Sequence, residues 1–386
     1  MYVELRTNMS LKSKRHVIVI LIFVTIVTCF ISMSKLRIME YRTQKCVNIF
    51  RKDISLIESI LGIHINGGED FGKALQQLIR NYTVGVNRTV WDKNLNNSTQ
   101  EQSTKKPDEI RETVCDKCFT HDFKYLINNE KICKKKSDNN DTIDLFIMIL
   151  TVHKNFEQRD VIRRTWLSYS KNNTGNVRYA FLLGKPTNDD LHEKVVQENN
   201  VHNDIIKEDF VDTYNNLTYK TIMGFKWVVK FCPTAKYILK TDDDMYINVP
   251  NFVHYVNTSG AELENHLVGS CEKIASPIRN NGSKWYASKK SYKERRFPGY
   301  CSGTGYITSF NIVNKIFAIS PKIPFFHLED IYVGLCLRKI GGSVKNKGGF
   351  NRGRVKLDAC VYKGKTMFTS HQVTAKQMET IWNSKC

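Results

Sequence analysis

Along this chain, apolar runs of strand length alternate with segments whose apolar positions recur at helical spacing. Ile143 to Val152 (IDLFIMILTV) is apolar apart from Asp144 and Thr151. An almost unbroken run of that length suits a central strand covered on both faces. Val177 to Leu183 predicts a second strand, closed by Gly184, and Ile205-Ile206 leads into Asp209 to Thr213. Leu191 to Asn199 reads as a polar helix. In Leu217 to Phe231, residues Ile222, Phe225 and Val229 share one helical face, and Cys232-Pro233 stops the helix. Val333, Cys336, Leu337 and Ile340 form a further helical stripe. Strands alternating with helices predict an α/β domain with a mostly parallel sheet, whose ligand lies beyond the C-terminal edge of the strands.

The pattern converges on one acidic stretch. Tyr237, Ile238, Leu239 and Lys240 lead into Asp242-Asp243-Asp244, and Met245, Ile247 and Val249 leave it, so the carboxylates fall on a turn at a buried strand's end. Three neighbouring like charges call for a cation, and hard oxygen donors suit Mg²⁺ or Mn²⁺, which would in turn hold a diphosphate. A solvated acidic turn is the plain alternative. A calcium loop fails on spacing: its sixth and twelfth positions require Gly and Glu, and here Ile247 and Val253 stand there.

Other candidate chemistry lies on either side. Arg159 and Arg163, at i and i+4 of an expected helix after the first strand, present two guanidinium groups on one face, for phosphate or carboxylate binding or as a solvated basic face. Phe297 to Tyr306 is a loop rich in Gly and aromatic residues. It lacks the third glycine of a dinucleotide fingerprint, so close backbone approach to a sugar or a plain turn remains. Glu329 and Asp330 stand at a helix start, where carboxylates also serve as caps and dipole partners.

Composition is globular, and the formal charge of +20 invites a nucleic-acid reading. The basic residues are mostly dispersed, however, with short clusters at Lys134 to Lys136 and Lys289 to Arg296. No zinc-finger, RNA-recognition or basic-zipper pattern accompanies them, so nucleic acid is not an expected partner. Val17 to Met33 is uncharged and flanked by basic residues, at the short end of what spans a bilayer, and Ser32-Met33-Ser34 is a poor cleavage site. The reading is an uncleaved signal-anchor, with residues 1–16 cytoplasmic, 34–120 a lumenal stem and 121–386 the catalytic body. Sequons begin at Asn81, Asn87, Asn96, Asn97, Asn140, Asn172, Asn216, Asn257 and Asn281, all C-terminal to the anchor, which places the body in the lumen and makes them N-glycosylation candidates. A sequon at Asn8 would face the cytosol. Ile54, Ile57 and Leu61 fall on one helical face, for a dimerising stem helix or one packed on the body. Ten cysteines follow Cys29, and in an oxidising lumen they read mainly as disulfides of unassignable pairing. Structural disulfides also suit Cys115 and Cys118 better than zinc or a redox pair.

These pieces, in their order, resemble the animal β1,3-galactosyltransferase and β1,3-N-acetylglucosaminyltransferase family of type II Golgi enzymes. The matching segments are FKYLINNEKIC (123–133), Arg159 to Trp166, FLLG (181–184), DFVDTYNNLTYKT (209–221), FCPTAKYILKTDDDMYINV (231–249), PIRNNGSKWY (277–286), YCSGTGYITS (300–309) and EDIYVGLCL (329–337). SKWY and CSGTGY lie nearest the galactosyltransferase branch. The resemblance implies a glycosyltransferase A fold, a Rossmann-like body binding a UDP-sugar with Mn²⁺. Asp242 and Asp244 would hold the metal, completed by His371. Arg159, Arg163, Lys240 and Asp243 would serve the UDP side. Asp330 would be the base of an inverting transfer, with Trp285, Gly303, Gly305 and Glu329 about the sugars. UDP-galactose is the expected donor and a glycan the acceptor; UDP-N-acetylglucosamine is the alternative, and a noncatalytic lumenal sugar-binding protein a third. Phe297-Pro298-Gly299 replaces the more usual Tyr-Pro-Pro, which bears on the acceptor.

Overall fold

The computed structural model describes residues 111, 115, 117–134, 142–186 and 189–386. They belong to one compact unit, Ser103–Cys386. The signal-anchor, the sequons from Asn81 to Asn140 and nearly all of the stem lie outside the described residues. Among those described, no helix is long and apolar enough to cross a membrane. The body takes in residues before 121: Phe119 is buried, its ring 5.2 Å from that of Tyr332, and the Arg111 guanidinium donates to the Pro324 and Phe325 carbonyls.

In chain order the elements are β1 (Tyr125–Ile127), β2 (Ile143–Leu150), α1 (Phe156–Arg164), β3 (Val177–Lys185), α2 (Asp189–His202), β4 (Ile205–Val211), α3 (Leu217–Phe231), β5 (Ala235–Asp242), β6 (Tyr246–Ile247) and α4 (Val249–Ser259). There follow β7 (His266–Glu272), β8 (Tyr300–Ser309), α5 (Phe310–Ile319), α6 (Glu329–Lys339), β9 (Ser343–Asn346), β10 (Phe350–Asn351), α7 (Ala359–Lys363), β11 (Thr369–Ser370) and α8 (Ala375–Asn383). The large sheet runs β1-β4-β3-β2-β5-β8-β7-β9, and β10, β11 and β6 make a small second sheet.

The expected mostly parallel sheet is in fact mixed. β4, β3, β2 and β5 are parallel, but β8 lies antiparallel between β5 and β7, and β1 is antiparallel on β4. The cause is β8, which the sequence suggested as a loop. Its glycines dilute the strand signal, yet it holds strong strand formers: Tyr306, Ile307 and Thr308 pair with β5 and Tyr300 with β7. Gly184 does not close β3 either; it sits within it, at a register shift against β4.

Strand β2 shows why the core forms. Leu145, Ile147 and Ile149 join one buried cluster with α1, α4 and α8, while Phe146, Met148 and Leu150 join the other with α3, α5 and α6. A period of two along a strand buried on both faces gives this division. From β2 the chain moves outward to β3 and β4, then returns to place β5 on β2's other side. The switch point between β2 and β5 is where an open α/β sheet leaves a crevice. Leu150 and Asp242 are register partners there, so the acidic turn follows at once.

Three disulfides brace this frame: Cys133–Cys232 ties the segment after β1 to the end of α3, Cys271–Cys301 joins β7 to β8, and Cys360–Cys386 pins the C-terminus. Cys115–Cys118 is also bonded, in accord with the expectation of disulfides. Cys336 is a buried thiol.

Candidate active site

The three carboxylates of the acidic turn have three different surroundings. Asp243 points inward, accepting from the Thr151 hydroxyl at 2.6 Å and the Asn155 amide at 2.9 Å. Burial raises its pKa. It fastens the turn to the end of β2, and its donor-facing role is corrected accordingly. Asp244 is 47% exposed and meets Nε2 of His371 at 3.1 Å. The other ring nitrogen of His371, Nδ1, bonds the Arg352 carbonyl at 2.8 Å, which orients the ring toward Asp244. The hydrogen bond to Asp244 raises the His371 pKa, against desolvation.

Asp242 faces Lys240, whose ammonium stands 2.7 Å from its Oδ1. Lys240 is buried and also donates to the Gly303 carbonyl, with Glu329 Oε2 at 3.9 Å. Burial opposes its charge, but Asp242 and Glu329 together hold its pKa above the ordinary lysine value. Lys240 is thus the cation among the carboxylates that the sequence called for, supplied by the strand itself.

Glu329 and Asp330 begin α6 but do different work. Glu329 is buried and accepts from the Thr221 hydroxyl at 2.9 Å and the Tyr306 hydroxyl at 2.7 Å. These bonds replace the expected contact with a sugar: Glu329 braces α3, β8 and Lys240 around the site. Asp330 is half-buried and accepts from the Ile331 N–H at 2.9 Å. Burial, then the charge of Glu329, raise its pKa to about 7, outweighing the backbone N–H groups and Lys240. A carboxyl poised there can exchange a proton near neutral pH.

Gly303 lets the strand pass close to these groups: an added Cβ would stand 3.0 Å from Glu329 Oε2, so a side chain there would press on that carboxylate. Gly305 lies on the same strand, paired with Thr241. Trp285 is half-exposed, with the Lys284 ammonium 4.6 Å from its ring centroid. Its side chain is hydrogen-bonded to the Tyr214 hydroxyl, and Tyr214 feels the charges of Asp330 and Asp242. Tyr214 is therefore a site residue that the sequence did not single out. It sits inside the DFVDTYNNLTYKT segment, but no periodicity or spacing marks an exposed tyrosine on a short turn.

Arg159 and Arg163 do not reach this site. Arg159 is fully buried and forks onto Glu198, with Nη1 on the Thr151 hydroxyl at 3.2 Å and the Val152 carbonyl at 2.8 Å. Arg163 pairs with Asp204 at 2.7 Å and Glu198 at 2.8 Å. The helical spacing puts both on one face as expected, but that face packs against α2 and the start of β4, whose carboxylates take up the guanidinium groups. The expected donor contact is replaced by an internal ion-pair network. Of the described sequons, Asn172, Asn257 and Asn281 are exposed. Asn216 is buried with its amide donating to the Val211 carbonyl at 2.7 Å, unlike the exposed acceptor its sequon suggested.

A family model described as galactosyltransferase matches residues 157–347. The mouse (Mus musculus) protein named beta-1,3-galactosyltransferase 1 is 39% identical over 265 residues, 68% of this chain and 78% of its own, and the Homo sapiens protein of that name gives the same figures. Human beta-1,3-galactosyltransferase 2 is 35% identical over 270 residues, 68% of this chain and 62% of its own. A solved glycosyltransferase involved in glycosylation of the major capsid of PBCV-1 overlaps 61% of this chain and 98% of its own at 12% identity and a TM-score of 0.33, too loose to bear on function.

Proposed function

The chain belongs to the β1,3-galactosyltransferase family, and from that premise we propose that it transfers galactose from UDP-galactose to a glycan acceptor in β1,3 linkage with inversion at C1. The observation that carries the mechanism is Asp330: a half-buried carboxyl beside Gly303 and across from the acidic turn, with a pKa of about 7. As base, it takes the proton of the acceptor hydroxyl while that oxygen forms the new bond to C1. The bond from C1 to the UDP oxygen breaks on the opposite face, and the α-linked donor yields a β product. Glu329 is less well placed for this role than Asp330: it is buried, with Thr221 and Tyr306 on Oε1 and the Lys240 ammonium 3.9 Å from Oε2. Trp285 and Tyr214 offer half-exposed aromatic faces at the mouth, suited to a sugar's apolar face.

The UDP side falls to the acidic turn. Asp242, Asp244 and His371 form a donor set of two carboxylates and an imidazole that suits Mn²⁺. The pairing of His371 with Asp244 in one place, both accessible to solvent, supports that fit. Among the described residues no three acidic, His or Cys side chains converge as a finished metal site, since Asp242 is turned toward Lys240. Bound there, Mn²⁺ would neutralise the charge developing on the departing diphosphate. We place the protein in the Golgi membrane as a single-pass type II enzyme with a glycosylated lumenal body. The uncharged run Val17 to Met33 and the sequons beyond it support this topology.

The test is donor turnover by the purified full chain. UDP release is measured with UDP-galactose, UDP-N-acetylglucosamine and UDP-N-acetylgalactosamine, with Mn²⁺ or EDTA, over simple sugar acceptors. Mn²⁺-dependent release with UDP-galactose, abolished together with UDP binding in Asp244→Asn, is the expected result. Release confined to UDP-N-acetylglucosamine would reassign the donor, and a folded chain that binds no UDP and turns over no donor would overturn the enzyme reading.

A further inference from the structure

The basic cluster from Lys289 to Arg296 has no part in the chemistry described so far. It lies on the 27-residue-position segment 273–299 that connects β7 to β8 and also carries Trp285. Lys289, Lys290, Lys293, Arg295 and Arg296 are all exposed there. The segment's one carboxylate, Glu294, is already paired with Arg338 at 3.2 Å. The loop beside the acceptor aromatics therefore carries a strong positive field with little internal counter-charge.

A cavity of about 680 Å³ opens at the root of this segment, and both of its ends, Lys273 and Gly299, line it. His266, Arg338 and Lys345 stand in the same wall, and no Asp or Glu does; Arg338 already pairs with Glu294 and Lys345 with Glu262 at 2.6 Å, so the charge left for a ligand comes from Lys273 and the exposed cations of the loop. The cavity also runs alongside the catalytic helix. Asp330, Gly334 and Arg338 are at i, i+4 and i+8 of α6, so they lie on one face, with Arg338 about 12 Å from Asp330 along the axis. Tyr300, next to Gly299, lies within electrostatic reach of Asp330, Glu272 and Arg352. A glycan whose reacting sugar sits at Asp330 would bring its next residues to this wall.

We propose that the cavity and the basic loop above it bind a negatively charged group, a sulfate ester or a carboxylate, on an extended glycan acceptor. Clustered ammonium and guanidinium groups recognise either anion, and the field steers such acceptors to the site. This assignment rests on the reading of the site as a galactosyltransferase, and it adds the class of acceptor.

The experiment uses the full chain with UDP-galactose and three acceptors that share a terminal N-acetylglucosamine: one neutral, one with an internal sulfate ester, one with an internal hexuronate. The expected result is a kcat/KM for charged acceptors roughly tenfold above the neutral one at low ionic strength, converging at about 0.5 M salt. Preference for only one of the two charged acceptors would support the proposal and identify the anion. In Lys273→Glu/Lys289→Glu/Lys290→Glu the charged-to-neutral ratio should collapse, and Lys293→Glu alone should lower it should the triple variant fail to fold. Equal kcat/KM for all three acceptors in the wild type overturns the proposal while leaving the galactosyltransferase reading intact. No turnover of any acceptor, the neutral one included, overturns that reading itself. Binding to phosphatidylserine vesicles that the triple variant loses, with the acceptor ratio unchanged, would overturn the proposal and assign the charge to a membrane surface.

Discussion

Replacing Asp330 by Asn separates catalysis from folding in a way few substitutions in this protein would. The amide keeps the shape of the carboxyl, and its oxygen can still accept from the Ile331 N–H. What it loses is basicity, and a positioned general base contributes about 10²- to 10⁴-fold to rate. A drop in kcat of about three orders of magnitude is expected, because no neighbouring carboxylate is free to replace it: Glu329 is held by Thr221 and Tyr306, and Asp242 by Lys240. Stability should move the other way. The folded-state pKa of Asp330, about 7, lies above the ordinary value of 3.8, so the folded protein holds this proton more tightly than the unfolded chain. The resulting stability is fully present below about pH 4 and is lost as pH rises to about 7, a swing of about 4 kcal/mol at most. At pH 8 the Asn variant no longer carries that penalty and should be more stable than the wild type. The assay pairs initial rates from pH 5 to 9 with denaturant titrations at pH 5 and pH 8. In the wild type kcat/KM should climb to a plateau, standing at pH 6 near one tenth of its maximum, as a base of pKa about 7 requires. A variant that keeps kcat within tenfold would refute the base assignment, and one that loses stability at pH 8 would refute the account of its burial.

Two further outcomes test the frame around the site. Arg159→Met breaks a fully buried pair with Glu198 and should cost about 3–5 kcal/mol in denaturant titration, with UDP affinity of the folded fraction retained. Loss of UDP binding at undiminished stability would return Arg159 to the donor site. Gly334→Ala introduces a Cβ only 2.6 Å from the Gly299 carbonyl oxygen, which is backbone and cannot easily yield. Overpacking of this kind costs about 1–3 kcal/mol, and since α6 carries Asp330, kcat should fall along with the melting temperature. An unchanged melting temperature would show that the β7–β8 connection is looser than its contacts imply.

The sequence made legible whatever depends on local pattern. The doubly buried strand at Ile143–Leu150 and the helix Leu217–Phe231 appear where their apolar spacing put them, and the acidic turn falls at a strand's end as its flanking runs require. What it hid depends on partners far along the chain. The two arginines of α1 look like a phosphate site until Glu198 and Asp204 arrive from the next helix and strand. Tyr300–Ser309 looks like a loop until β5 and β7 pair with it on both sides. Glu329 and Asp330 are adjacent carboxylates with the same local credentials. Only the hydroxyls of Thr221 and Tyr306 decide which of them becomes a brace and which remains free to take a proton.

The Cys271–Cys301 bond encloses the whole segment that carries Trp285 and the basic cluster, with a sequence separation of 30. Closing a loop of that length removes about 3–4 kcal/mol of unfolded-state freedom, by the chain-entropy account. The segment is thus an insert sewn shut at its base, with Ala287, Tyr292 and Phe297 packed into the core and its basic side chains left outside. Substitution at those exposed positions leaves β5, the acidic turn and Asp330 in place. One covalent bond and three buried anchors thereby confine variation in this connection to its outer surface.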